Sequence, residues 1–350
     1  MASSCSTDAA EGPGRLTDPD LVDDVAPGIV GRRRQIELVV AGLAAGRHIL
    51  LEGPPGTGKS TLLAAVAATA GVGFVAVEGN LELTPARLIG HHDPSRVLSE
   101  GYNDAGFVDG PLVSAMRLGS LLYVEELNRV PEETLNVLVT VMSEGWLHVP
   151  RLGRVTAAEG FRLVAAMNPF DSVGTARISS ALYDRTCRVA MGYQTAEEES
   201  AIVQRQVARS EHGAPSGPVD RTWIARVVDV VRLTRDHPDI RMGSSVRGAI
   251  DLVLVAGRLS IIRRTAVGDG DVGIDAALAA LSGRIRLFEG SPRTPEEVIT
   301  DLWHQVFERD ASSPANAANA TNAGAPRSLS DPAPPTEKAT APSGLPPQGA

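Results

Sequence analysis

The chain has 350 residues, of which 43% are hydrophobic; 33 basic and 42 acidic side chains give a formal net charge of −9. The acidic balance argues against a protein that holds nucleic acid by bulk electrostatics, and two distant cysteines, Cys5 and Cys187, leave no disulfide framework or zinc knuckle. No apolar run reaches the ~18–20 residues of a membrane helix and no signal peptide is visible, which predicts a soluble, cytoplasmic protein.

Residues 1–27 hold six acids and one arginine among Gly, Pro and Ser, and read as a mobile acidic leader. From residue 28 short apolar strands alternate with helical spacing. Ile36, Val39, Val40 and Leu43 mark one helix face, followed by a strand at 48–52, a helix at 59–70 and a strand at 74–78. Further apolar runs at 121–124, 163–167 and 186–191 are nearly continuous, as a parallel sheet covered on both faces requires. Residues 28–193 therefore read as an α/β domain.

Beyond 193 the strand signals stop. Thr195 and Glu198 form a capping box that opens a helix to about residue 210, and helical patterns follow at 219–234, 244–262 and 271–288. A last helix begins at Thr294-Pro295-Glu296-Glu297. This predicts an all-helical second domain over 194–310, then an Ala/Pro-rich disordered tail over 311–350.

Gly53-Pro54-Pro55-Gly56-Thr57-Gly58-Lys59-Ser60 fits G-x-x-x-x-G-K-[ST] between a predicted strand and a predicted helix, the context that motif needs. Backbone N–H groups and the helix N-terminus would hold the phosphates of ATP, Lys59 would reach the β- and γ-phosphates, and the Ser60 hydroxyl would ligate Mg²⁺. Thr61 follows on the same helix. Lys59 is one of only two lysines beside 31 arginines, so its place in the motif is not a by-product of a lysine-rich composition. Downstream, a second apolar strand ends in Glu125-Glu126; neighbouring side chains at a strand end diverge, so one acid can face the metal while the other orients the attacking water. Asn168, after a third apolar strand, either bridges that water and the γ-phosphate or serves as a turn residue before Pro169.

The phosphate loop, Val124-Glu125-Glu126-Leu127-Asn128-Arg129-Val130-Pro131, Ala165-Ala166-Met167-Asn168-Pro169 and Leu182-Tyr183-Asp184-Arg185 occur in an order that resembles AAA+ ATPases of the MoxR group, which includes NorQ-, CbbQ- and GvpN-like proteins. The similarity spans residues 28–309 and implies a P-loop core under a helical lid. It assigns Glu125 to the Mg²⁺-associated acid, Glu126 to the catalytic base and Asn168 to sensor 1. It also assigns Arg247 to sensor 2 and Arg185 to an arginine offered to the neighbouring subunit, with Arg188 and Arg177 as rivals. Residues 146–161 resemble the hairpin that faces the pore. The resemblance further implies a homo-oligomeric ring, a hexamer, acting on a protein partner with a von Willebrand factor A domain in metalloenzyme maturation or complex assembly. Glu125 stands where the family usually has Asp, which keeps open an ATP-gated assembly switch with little hydrolysis. A nucleic-acid motor is a third alternative, disfavoured by the charge. Arg32-Arg33-Arg34 reads as a solvated face ahead of two alternatives, the rim of an adenine pocket or a nucleic-acid contact; His91-His92-Asp93 reads as a polar loop rather than a metal cluster, Cys187 as a small core residue, and Trp223 and Trp303 as packing.

Overall fold

The computed structural model describes residues 15–169, 179–210 and 220–308. The Arg15 N–H donates to the Ala70 carbonyl at 2.8 Å, and Leu16, Leu21 and Val25 are buried, the last two on α1 (Leu21–Val25). They join the apolar cluster of α2 (Arg33–Ala44) and α3 (Lys59–Ala70). The acidic leader is thus overturned from Arg15 onward: three of its four large aliphatics, hidden among acids in the sequence, are buried against a complementary face and Val22 packs beside them.

The core follows in chain order as β1 (His48–Glu52), β2 (Phe74–Glu78), α4 (Pro85–Ile89), β3 (Gly90–His92), α5 (Pro94–Glu100), β4 (Phe107–Asp109), α6 (Pro111–Leu118), β5 (Leu121–Glu125) and α7 (Glu132–Glu144). Then come β6 (Trp146–Val149), β7 (Gly153–Thr156), β8 (Arg162–Met167), α8 (Ser180–Asp184) and β9 (Thr186–Ala190). Five strands form a parallel sheet in the order β2-β5-β8-β1-β9, while β3–β4 and β6–β7 pair separately as antiparallel ribbons. Strand alternation explains why the sheet sequences are apolar throughout. Leu50, Leu122, Val124, Leu163 and Ala165 enter the cluster built on α6 and α7, whereas Ile49, Leu51, Leu121, Tyr123, Val164 and Ala166 enter the one built on α1, α2 and α3. Because all five strands are parallel, the ends of β1, β5 and β8 lie on one edge, where ligands of open α/β sheets bind.

β9 is an edge strand, and this corrects the reading of Cys187: the thiol lies on its exposed side. His91 and His92 belong to β3 rather than to a loop, and no group of three or more His, Cys, Asp or Glu able to hold a metal occurs among the described residues.

The lid comprises α9 (Ala196–Arg209), α10 (Arg221–Asp236), β10 (Ile240–Met242), α11 (Val246–Arg263), α12 (Gly270–Leu281), β11 (Arg286–Leu287) and α13 (Pro295–Phe307). It is not purely helical. The pattern expected to run over 271–288 ends at Leu281, and Arg286–Leu287 pairs antiparallel with Ile240–Met242. The segment is too short for period-two alternation to register in the sequence. Trp223 and Trp303 are buried in the lid as expected. Described residues up to Val306 belong to one compact unit, and the second unit contributes only Phe307 and Glu308 to the described residues. The tail reading at 311–350 lies outside them. Among the described residues no helix is long and apolar enough to cross a membrane.

Candidate nucleotide site

The phosphate loop is a turn that its glycines permit. Gly56 and Gly58 have φ of +74° and +83°, in the left-handed region that costs other residues energy, and Gly58 is the N-cap of α3. Gly53 is needed for a different reason, since a Cβ there would sit 1.9 Å from the Met191 carbonyl oxygen. The Gly53 N–H donates to the Met167 carbonyl at 3.2 Å, tying the loop to β8. The Lys59 ammonium donates to the Gly53 and Pro54 carbonyls at 2.8 and 2.9 Å, and the Thr57 hydroxyl donates to the Pro54 carbonyl at 2.9 Å. Burial pushes the Lys59 pKa down, while the negative charges of Glu126 and Glu125 pull it back.

Pro55, Gly56, Thr57, Gly58, Lys59 and Ser60 line a small cavity together with Glu125, Glu126, Met167 and Arg247. Glu126 has φ 52° and ψ 43°, a left-handed conformation uncommon for a non-glycine residue and worth roughly 1–3 kcal/mol of strain. That backbone turn lets Glu125 finish β5 while Glu126 leaves in another direction. Arg129 Nε lies 3.3 Å from Glu126 Oε2. The set of one hydroxyl and two carboxylates suits a hard cation such as Mg²⁺, which keeps waters and substrate phosphates as its remaining ligands. Asn168 is 7% exposed beyond the end of β8, and its carbonyl accepts from the Asn128 amide at 3.3 Å. It adjoins Met167 but is not itself among the residues lining this cavity.

A second cavity of about 210 Å³ adjoins the first and shares Gly56, Thr57, Gly58 and Arg247 with it. Its walls are Ile29, Val30 and Arg32 before the sheet, Thr61 on α3, and Gln194, Ile202, Gln206, Val246 and Ile250 from the lid. Five aliphatic side chains and a polar remainder that includes Arg205 and Arg209 make a slot of mixed lining beside the phosphate loop, which could take a nucleoside. Arg32 departs from the solvated reading: it is 4% exposed and donates to the Thr57 carbonyl at 3.0 Å and the Gly192 carbonyl at 2.6 Å. Arg33 does behave as a surface residue, paired with Asp23 and Glu37.

Arg185 lies apart from both cavities, at the end of α8. Its guanidinium donates to Ser143 Oγ and to the Ala181 carbonyl. Of its rivals, Arg188 is paired with Glu52, and Arg177 lies outside the described residues.

Residues 48–186 match the model of the dynein-related AAA domain subfamily. The chain is 27% identical over 261 residues to chaperone MoxR1 of Mycobacterium tuberculosis, covering 67% of this chain and 66% of that one. It is 28% identical over 272 residues to the gas vesicle ATPase GvpN of Ancylobacter aquaticus, covering 72% and 73%. The matched domain and these relatives support a MoxR-type AAA+ ATPase. A crystallised RuvB variant from Thermotoga maritima, 15% identical with a TM-score of 0.50 over 75% of this chain and 73% of that one, shares the fold.

An AAA domain over residues 48–186 implies nucleotide binding. Within the AAA+ core, β6 and β7 form the hairpin expected over 146–161, its turn at residues 150–152 just ahead of Gly153. Arg151 near the turn stacks on Tyr102 at 4.3 Å, joining the hairpin to the segment after α5. Sequence reasoning missed most of the second cavity, because its walls come from two distant segments and carry no motif. One signal was present for Arg32: it follows Gly31 directly, and a glycine held at φ +67° with no room for a Cβ marks a close approach of chain.

Proposed function

We propose that this protein hydrolyses ATP to ADP and phosphate as a ring of identical subunits and uses the cycle to remodel a protein partner. The reading rests on one observation: Lys59 and Ser60 from the phosphate loop, Glu125 and Glu126 from β5, and Arg247 from the lid line a single cavity.

Each residue has a role that follows from its place. The backbone of 53–61 receives the phosphates. The Lys59 ammonium exchanges two neutral carbonyl acceptors for phosphate oxygens, which are stronger acceptors because they are charged. Glu126 orients the attacking water, Asn168 helps hold it, and Arg247 brings lid charge onto the phosphates. Ser60 and Glu125 would hold Mg²⁺, which when bound neutralises charge on the phosphate oxygens. Arg185, remote from its own subunit's cavities, is placed in this reading against the nucleotide of a neighbour. A contact of that kind is heterologous and closes into a ring, here a hexamer. Two relatives carry the names chaperone and gas vesicle ATPase, which favours a protein substrate. The family resemblance adds that the partner carries a von Willebrand factor A domain and that the outcome is metalloenzyme maturation or complex assembly.

Glu125 supports a second reading. Its side chain is one methylene longer than the usual Asp, which displaces the carboxylate relative to Ser60, and nucleotide would then switch assembly without appreciable turnover. Phosphate release by the full-length protein with saturating ATP and Mg²⁺ separates the two: steady release supports the ATPase, whereas tight binding with no release leaves only the switch.

A further inference from the structure

Arg32 is a buried cation whose Nη2 makes both of its hydrogen bonds, each to a backbone carbonyl, while its Nε is buried without a hydrogen-bond partner. Burial pushes its pKa down, and the opposing charges facing it are Glu198 and Glu199 of the lid helix α9. Desolvating a guanidinium is costly, so its placement matters through what it holds. One carbonyl it holds, on Thr57, belongs to the phosphate loop; the other, on Gly192, lies 160 positions along the chain at the junction of core and lid.

The peptide joining Thr57 to Gly58 is planar and trans, so its C=O and N–H point to opposite sides. Arg32 holds the carbonyl from one side, and Arg32 is not among the residues lining the phosphate cavity, whereas Gly58 is. Gly58, on one side of this peptide, has a positive φ and offers it little resistance to rotation. The chain around Arg32 is stitched to the lid as well. Gln194 donates to the Val30 carbonyl at 3.2 Å, Arg205 donates to the Pro27 carbonyl at 2.9 Å, and the Glu198 carboxylate occupies the space a Cβ on Gly31 would need, 2.2 Å away. Glu199, 1% exposed, is paired with Arg235 at 2.8 Å and Arg232 at 3.4 Å, and Arg235 stacks on Tyr193 next to Gly192.

We propose that Arg32 is a positioning residue that turns the Gly58 N–H toward the bound phosphates and fastens that peptide to the lid hinge at Gly192, so that one guanidinium couples phosphate occupancy to lid position. The inference rests on the nucleotide-binding reading of the site. Phosphates that draw the Gly58 N–H forward tighten the hold of Arg32 on both carbonyls. When they leave, the peptide is free to rotate and the hinge loosens.

The test uses the full-length protein, with MgADP titrated calorimetrically and backbone hydrogen exchange followed with and without it. In the unaltered protein MgADP is expected to slow exchange both in the loop and around residues 192–199. Arg32→Met, which keeps an unbranched stem and loses every donor, is expected to bind MgADP at least about tenfold more weakly and to lose the hinge protection even at saturation. Arg32→Lys should recover part of both the affinity and the hinge protection, because Nη2 alone serves both carbonyls and an ammonium also carries enough donors for two. Binding and hinge protection in Arg32→Met equal to those of the unaltered protein would overturn the proposal. If neither variant folds, the unaltered protein decides alone: loop protection without hinge protection overturns it. Absence of any heat from the unaltered protein would overturn the nucleotide reading itself, and this proposal with it.

Discussion

Lys59 and Glu126 line the same cavity yet should fail differently when changed. Lys59 supplies a cation whose present acceptors are two neutral carbonyls, so Lys59→Ala removes charge from the phosphate site and is expected to abolish nucleotide binding. Glu126→Gln keeps the side chain's outline and its left-handed backbone but loses the charge that orients water; ATP should still bind while turnover falls by about 10²-fold or more. Calorimetry beside phosphate release checks both, and equal loss of binding in the two variants would contradict the assignment. His48 offers a prediction about stability. Burial, reinforced by the nearby Arg162, lowers its pKa to about 4, and its Nδ1 accepts the Leu163 N–H at 2.9 Å. The folded state therefore prefers neutral imidazole. This contribution is complete above the unfolded value near 6.5 and is lost as pH falls toward 4, by roughly 3 kcal/mol at the low end. Urea unfolding at pH 7 and pH 4.5 should show His48→Gln losing less stability on acidification than the unaltered protein, and parallel losses would refute it.

At the scale of elements, the sheet was legible because each strand must be apolar on both faces, and runs such as Leu121–Glu125 announce that without a motif. The phosphate loop was legible for the opposite reason: a fixed spacing of glycine, lysine and hydroxyl is demanded by the ligand. What escaped was set by distant packing. The β10–β11 pairing is too short to show alternation, the segment from Arg15 needs α3 before its aliphatics have anywhere to go, and Arg32 looks like its exposed neighbour Arg33 until Gly192 is brought beside it. The loop's glycines make the same point in testable form. Sequence gives Gly53 and Gly58 equal standing, yet a Cβ on Gly58 meets no atom within 4 Å, whereas on Gly53 it would collide with the Met191 carbonyl. Gly58→Ala should cost only the strain of a left-handed alanine, about 1–2 kcal/mol. Gly53→Ala must push apart the loop and the chain beyond β9, and so should lower the melting temperature more and weaken nucleotide binding more. The reverse order in melting scans and titrations would show that the contact with Met191 yields easily.

At the scale of the whole molecule, the question is whether one chain holds a complete site. In the proposed reading Arg185 makes it incomplete. Its side chain is 35% exposed, and its hydrogen bonds to Ser143 and Ala181 hold it on the α8 side, outside both cavities of its own subunit. In the proposed ring, an arginine held in this way serves the triphosphate of another protomer. Arg185→Ala subunits would then carry intact nucleotide pockets but spoil the neighbour's chemistry, whereas Glu126→Gln subunits would spoil their own pocket and still present a good Arg185. Each preparation alone should be inactive. Mixed, a ring gains interfaces in which an Arg185→Ala subunit supplies the pocket and a Glu126→Gln subunit supplies the arginine, and phosphate release should reappear, at most at about a quarter of the normal rate if mixing is random and sites act independently. Recovery that depends on total protein concentration would tie it to assembly. Mixtures as inactive as their components, under conditions where light scattering shows rings forming, would remove Arg185 from the neighbour's site and return the choice to Arg188, whose pairing with Glu52 would then have to open.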